Sequence, residues 1–180
     1  KSTLVWLDQL SKQYEREIRT LDAIPDELFP FFELDPAGGE LILSGASTYS
    51  GETAVTSGRV EISGTLGVSN EYAGNISNAG ELVFSNAGTQ TLSGDITGAG
   101  SFEQAGTGTT ILLGTGNVFT GTTRITSGTL QVGNGESNGS LGGNGTLSIA
   151  DAGTFVFDLA ADADVVSSKS ISGGGTFDKK

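Results

Sequence analysis

The sequence predicts an all-β fold, a parallel β-helix or solenoid, with a short α-helical segment ahead of it. Three observations carry this reading. Short runs alternate apolar with polar residues and are punctuated by Gly, Ser, Thr and Asn. One such stretch recurs later in the chain without a gap. All 29 glycines lie at or after Gly38, whereas the 3 prolines, Pro25, Pro30 and Pro36, lie before it. The composition therefore divides the chain into residues 1–37 and residues 38–180.

Residues 1–37 open with a helical spacing. Leu4, Leu7, Leu10, Tyr14, Ile18 and Leu21 recur at intervals of three and four, which places them on one face of a helix. Ser2 or Thr3 can cap its start, and Pro25 bars continuation beyond Ile24. An apolar patch, Leu28-Phe29-Pro30-Phe31-Phe32, follows. An isolated helix of this length is marginal in water, so its apolar face is expected to pack on the first turn of the second region, covering Trp6 and capping the solenoid.

From Gly38 onward no helical period appears. Leu41–Leu43, Val60–Ile62, Leu82–Phe84, Leu130–Val132 and Thr154–Phe157 read as strands, most of them entered through a step such as Ser57-Gly58 or Ser127-Gly128. Residues 41–63 align directly on residues 111–133. Leu43, Gly51, Thr53, Thr56, Ser57 and Gly58 return as Leu113, Gly121, Thr123, Thr126, Ser127 and Gly128. Tyr49 becomes Phe119, and Val60 becomes Leu130. Strands this short bury their apolar faces only by stacking on the next unit, which builds one narrow continuous core. At roughly 20–30 residues per turn, residues 38–180 make about five to seven rungs. A β-sandwich also uses short strands but gives no reason for so long an echo. Gly58 and Gly128 are expected at corners, and Tyr49 and Phe119 are expected to stack in or over the solenoid. If Leu41 and Leu43 point inward, Ile42 points outward, and the same parity sends Leu112 outward.

These residues resemble a known family. Gly39 to Gly51 followed by Thr53 to Ile62 is similar to the passenger-associated repeat of bacterial autotransporters. Gly94 to Gly108 resembles the segment before that repeat, Gly139 to Ile149 the segment after it, and Asp164-Val-Val with Ser172 to Phe177 the rungs late in a passenger. The likeness covers nearly all of residues 38–180 and none of residues 1–37. The chain departs from the pattern at Thr109-Thr110, with an extra residue, and at Thr115, where Gly is usual. The resemblance implies a right-handed β-helix, secreted through the outer membrane and exposed on, or released from, a Gram-negative cell.

Composition prunes the chemistry. With no Cys and no His, there is no thiolate nucleophile, no sulfur ligand for zinc and no imidazole proton shuttle. A formal net charge of −12 opposes nucleic acid and anionic membranes as partners. No apolar run approaches the roughly 20 residues that span a bilayer. No signal-peptide pattern is present, so any targeting segment is expected to be removed or to lie elsewhere. Gly135-Glu-Ser-Asn-Gly139 has the spacing of a nucleophile elbow but neither a following helix nor a His base, and reads as a turn. Asp158, Asp162 and Asp164 form the one dense acidic group of the second region. They can ligate calcium through oxygen, serve as glycan-cleaving carboxylates, or stand solvated on the surface. Asn75-Ile-Ser77, Asn138-Gly-Ser140 and Asn144-Gly-Thr146 match the glycosylation triplet, as chance allows in so Asn- and Ser-rich a chain.

The expected function is a non-enzymatic, adhesin-like extracellular module with no catalytic residue, cofactor or metal. It would present an acidic surface to a protein or glycan on a host or neighbouring cell, with self-association through solenoid edges. A carboxylate-based polysaccharide-active enzyme and a purely architectural spacer are the alternatives.

Overall fold

A computed structural model describes residues 18–21, 31–34, 39–161 and 168–180. The described residues are all-β. From Glu40 the chain makes about six turns of a parallel solenoid. An eight-stranded sheet takes one strand from every turn, running from Ile18–Leu21 through Glu40–Leu43, Arg59–Ile62, Glu81–Phe84, Ser101–Gln104, Thr123–Ile125 and Thr146–Ile149 to Ser170–Gly173. A six-stranded sheet runs from Glu71–Tyr72 to Thr176–Lys179, a four-stranded sheet joins Phe31–Leu34 to Ile96–Thr97, and Ala46–Ser47 pairs with Thr65–Leu66. Among the described residues every pairing between strands is parallel, which rules out the sandwich. Partners one turn apart are as close in sequence as Leu41 and Val60, 19 residues, and as distant as Leu130 and Phe155, 25 residues.

The core follows from alternation. Leu41, Val60, Leu82, Phe102, Thr123 and Leu147 succeed one another in register, all buried. Aromatic rings stack through the interior, Phe84 on Phe102 at 5.6 Å between centroids and Phe102 on Phe119 at 6.1 Å. The Lys169 ammonium ends this stack 4.5 Å from the Phe119 centroid and donates to the Gly121 carbonyl at 3.1 Å. Tyr49 lies edge-on to Tyr72 at 5.4 Å, and both hydroxyls bond to Thr53 Oγ1. Burial, with Tyr72 beside it, holds the Tyr49 phenol well above its ordinary value. Each full burial of such a side chain contributes about 1.5–3 kcal/mol. Buried amides then lock one turn to the next: Asn117 Oδ1 accepts the Ile96 N–H at 2.6 Å, while its Nδ2 donates to the Ser140 carbonyl at 2.6 Å.

The structure corrects two expectations. The helix expected over residues 4–24 does not extend through Ile18–Leu21, which is a strand in register with Glu40–Leu43. Phe31–Leu34, from the apolar patch, is likewise a strand paired with Glu52–Val55. A sheet edge carries unpaired N–H and C=O groups, and β-branched or aromatic segments such as Ile-Arg-Thr-Leu and Phe-Phe-Glu-Leu satisfy them. The rest of the expected helix, with Leu4, Leu7, Leu10, Tyr14 and Trp6, lies outside the described residues. Leu112, expected outward, is fully buried. Its strand, Thr109–Leu112, turns Thr110 and Leu112 inward, one residue out of step with Glu40–Leu43, and aligns Leu112 with buried Leu92 and Val132. The two strands belong to different sheets, Glu40–Leu43 to the eight-stranded one and Thr109–Leu112 to the six-stranded one, so the parity of the first does not carry over to the second.

Candidate functional surface

A solenoid offers its partners the outward residues of each sheet, one row per turn. On the eight-stranded sheet, Glu40, Arg59 and Glu81 form one outward column, and Ile42, Glu61, Val83, Glu103 and Arg124 form the next, in which Val83 is fully covered by its neighbours. Arg59 binds Glu40, meets Glu61 Oε2 at 2.5 Å and reaches Glu81 Oε2 with Nε at 3.5 Å. One guanidinium thus faces three carboxylates drawn from three successive turns, so the cluster stays negative. Partial burial pushes the Glu61 carboxyl upward. The Ser85 hydroxyl, donating at 2.5 Å, and the Arg59 guanidinium outweigh it and hold the group below its ordinary value. Glu103 accepts the Thr126 hydroxyl at 3.0 Å.

The outer face of the six-stranded sheet carries carboxylates only at its two ends, Glu71 and Asp178, with uncharged residues in register between them. Thr89, Thr109, Thr129, Thr154 and Thr176 stand directly in register on five successive turns. A cavity of about 300 Å³ opens near one corner, lined by Thr115, Gly139, Ser140, Gly142, Phe157, Leu159 and Ser168, with no carboxylate among these residues.

The residues singled out from sequence are dispersed. Asp158 follows the strand Gly153–Phe157, where its carbonyl accepts the Gly135 N–H at 2.7 Å. Its carboxylate takes Gln131 Nε2 at 3.3 Å and Lys180 Nζ at 3.4 Å. Asp162 and Asp164 lie outside the described residues. Among the described residues no group of three or more His, Cys, Asp or Glu is placed to hold a metal ion. Ser137 sits in an exposed turn in which Asn134 Oδ1 accepts the Glu136 and Ser137 N–H groups. Tyr49 and Phe119 are both fully buried. Ile42 is half-buried on the outward face of its strand. The glutamate columns were missed, because Glu40, Glu61, Glu81 and Glu103 converge only when the length of each turn is known. Their outward positions between apolar neighbours, as in Val60-Glu61-Ile62, were the available signal.

A family model described as the passenger-associated-transport-repeat matches residues 38–62 and 102–132. The adhesin BmaC autotransporter of Brucella suis biovar 1 (strain 1330) is 38% identical over 161 residues, covering 78% of this chain and 4% of that protein. The chain thus spans a small fraction of the curated relative it matches. No solved structure matches it. Among the described residues no helix is long and apolar enough to cross a membrane. Two repeat matches laid on a parallel solenoid, with a relative of the same type, lead to one conclusion: the chain is a segment of an autotransporter passenger, of the class displayed at the bacterial cell surface by way of the outer membrane.

Proposed function

We propose that this segment is a non-enzymatic, adhesin-like module whose eight-stranded sheet presents carboxylates to a cationic patch on a host or neighbouring cell. The observation that carries the reading is the convergence of Glu40, Glu61, Glu81 and Glu103 on one outer face. Arg59 and Arg124, in the same columns, offset only part of that charge. The relative named as an adhesin supports the adhesive and non-enzymatic reading. A rigid face with an excess of one sign steers and retains an oppositely charged partner, and the effect weakens with salt.

The test is retention of the fluorescently labelled chain on cell monolayers at low and physiological salt. Retention is expected to fall with added salt and to fall again in the Glu81→Gln, Glu103→Gln double variant, whose far-UV spectrum stays unchanged. Retention indifferent to both salt and substitution refutes the acidic face as the contact.

A further inference from the structure

Three Asn-Gly pairs, Asn134-Gly135, Asn138-Gly139 and Asn144-Gly145, fall within one stretch between the strands Gly128–Val132 and Thr146–Ile149. Asn-Gly is the pair most open to intramolecular attack of a backbone nitrogen on the side-chain amide, because Gly has no Cβ to obstruct the approach. The fold treats the three pairs differently.

Asn134 is held on both sides of the reaction. Its Oδ1 accepts the N–H groups of Glu136 at 3.2 Å and Ser137 at 2.7 Å. The attacking nitrogen, that of Gly135, has its N–H committed to the Asp158 carbonyl at 2.7 Å. Asn138 is tied at one point, its Oδ1 accepting the Ala160 N–H at 3.0 Å. Asn144 is exposed, and its side chain has no hydrogen bond among the described residues. Gly142 and Gly143 precede it, and Gly145, at φ 138°, follows it; the backbone bonds here, Gly143 N–H to the Phe119 carbonyl at 3.2 Å and Ser170 N–H to the Gly145 carbonyl at 3.1 Å, leave the Asn144 side chain itself untied.

We infer that Asn144 is a self-modification site, converting to aspartate or isoaspartate in the folded protein while Asn134 and Asn138 are protected. The Gly145 nitrogen, on losing its proton to water or hydroxide, bonds to the Asn144 side-chain carbonyl carbon. The carbon–nitrogen bond of the carboxamide breaks, and ammonia leaves from a five-membered succinimide. Water then opens the ring at either carbonyl, giving an α- or β-linked aspartate, with no oxidant, metal or enzyme required. The product adds one negative charge beside the solenoid. The β-linked form also lengthens the backbone next to Gly145, whose carbonyl accepts the Ser170 N–H of the following turn at 3.1 Å.

The test incubates the full chain at mildly alkaline pH, folded and in concentrated urea, and locates each gain of about 1 Da by fragmentation mass spectrometry. In the folded chain Asn144 is expected to convert about tenfold faster than Asn134 and ahead of Asn138, with the differences collapsing in urea. Gly145→Ala should suppress conversion at 144 alone. Equal folded rates at the three sites, or the same preference for Asn144 in urea, would overturn the inference.

Discussion

Gly58 and Gly128 hold φ values of 67° and 63°, in the left-handed region that residues with a β-carbon seldom adopt. A Cβ on Gly128 would also collide with the carbonyl oxygens of Gly106 and Gly108 in the preceding turn. Replacing either glycine by Val is expected to cost about 1–3 kcal/mol from backbone strain, with more at position 128, read as a lowered urea midpoint. Unchanged midpoints would show that the corners tolerate ordinary backbone angles. Glu61 makes a second prediction at this scale. Its folded carboxyl titrates below the ordinary value of 4.5, so its contribution to stability is present above that value and is lost as pH falls through the folded one. Glu61→Gln should therefore lower stability at pH 7 and flatten the acid limb of the stability profile below about pH 4.5. A variant with the same acid limb as the parent would show that the carboxylate is not stabilised by its partners. The two glycines were legible in the sequence because they recur in matching contexts, whereas the Glu61 partners were not. Arg59 lies two residues away on the same strand, but Ser85 comes from the following turn, at a distance in sequence set by the length of that turn.

Individual strands were readable where alternation was clean. Leu41–Leu43, Val60–Ile62, Leu82–Phe84 and Leu130–Val132 all fall within observed strands. Leu112 was misread because a gapless alignment carries parity along with identity, whereas Leu41–Leu43 and Leu112 lie in strands of different sheets and take their registers from different neighbours. Ile18–Leu21 was misread for a different reason: Leu4 through Leu21 carry a helical period, but the open edge of Glu40–Leu43 supplies backbone partners that no local pattern reveals. The glutamates on the eight-stranded sheet share that difficulty, since each belongs to a separate turn. Local sequence therefore specifies which residues face the core, and turn length specifies which outward residues become neighbours.

At the scale of the whole molecule, the pairing of Ile18–Leu21 and Phe31–Leu34 with the next turn bears on the role of residues 1–37. We propose that residues 1–37 close this end of the solenoid. Their deletion uncovers the edges of Glu40–Leu43 and Glu52–Val55 and should promote association, seen as concentration-dependent growth in light scattering. A truncated chain that stays monomeric with the same thermal midpoint would show them to be an appendage. The two matching stretches, finally, do not share a side of the molecule. The corner at Gly58 feeds the strand Arg59–Ile62 of the eight-stranded sheet, but the corner at Gly128 opens Gly128–Val132 of the six-stranded sheet. The duplicated sequence winds around the axis rather than lining up along it. A flat cell surface lying against one side meets a single copy, so repeating the unit diversifies the directions displayed instead of raising the valency toward any one of them.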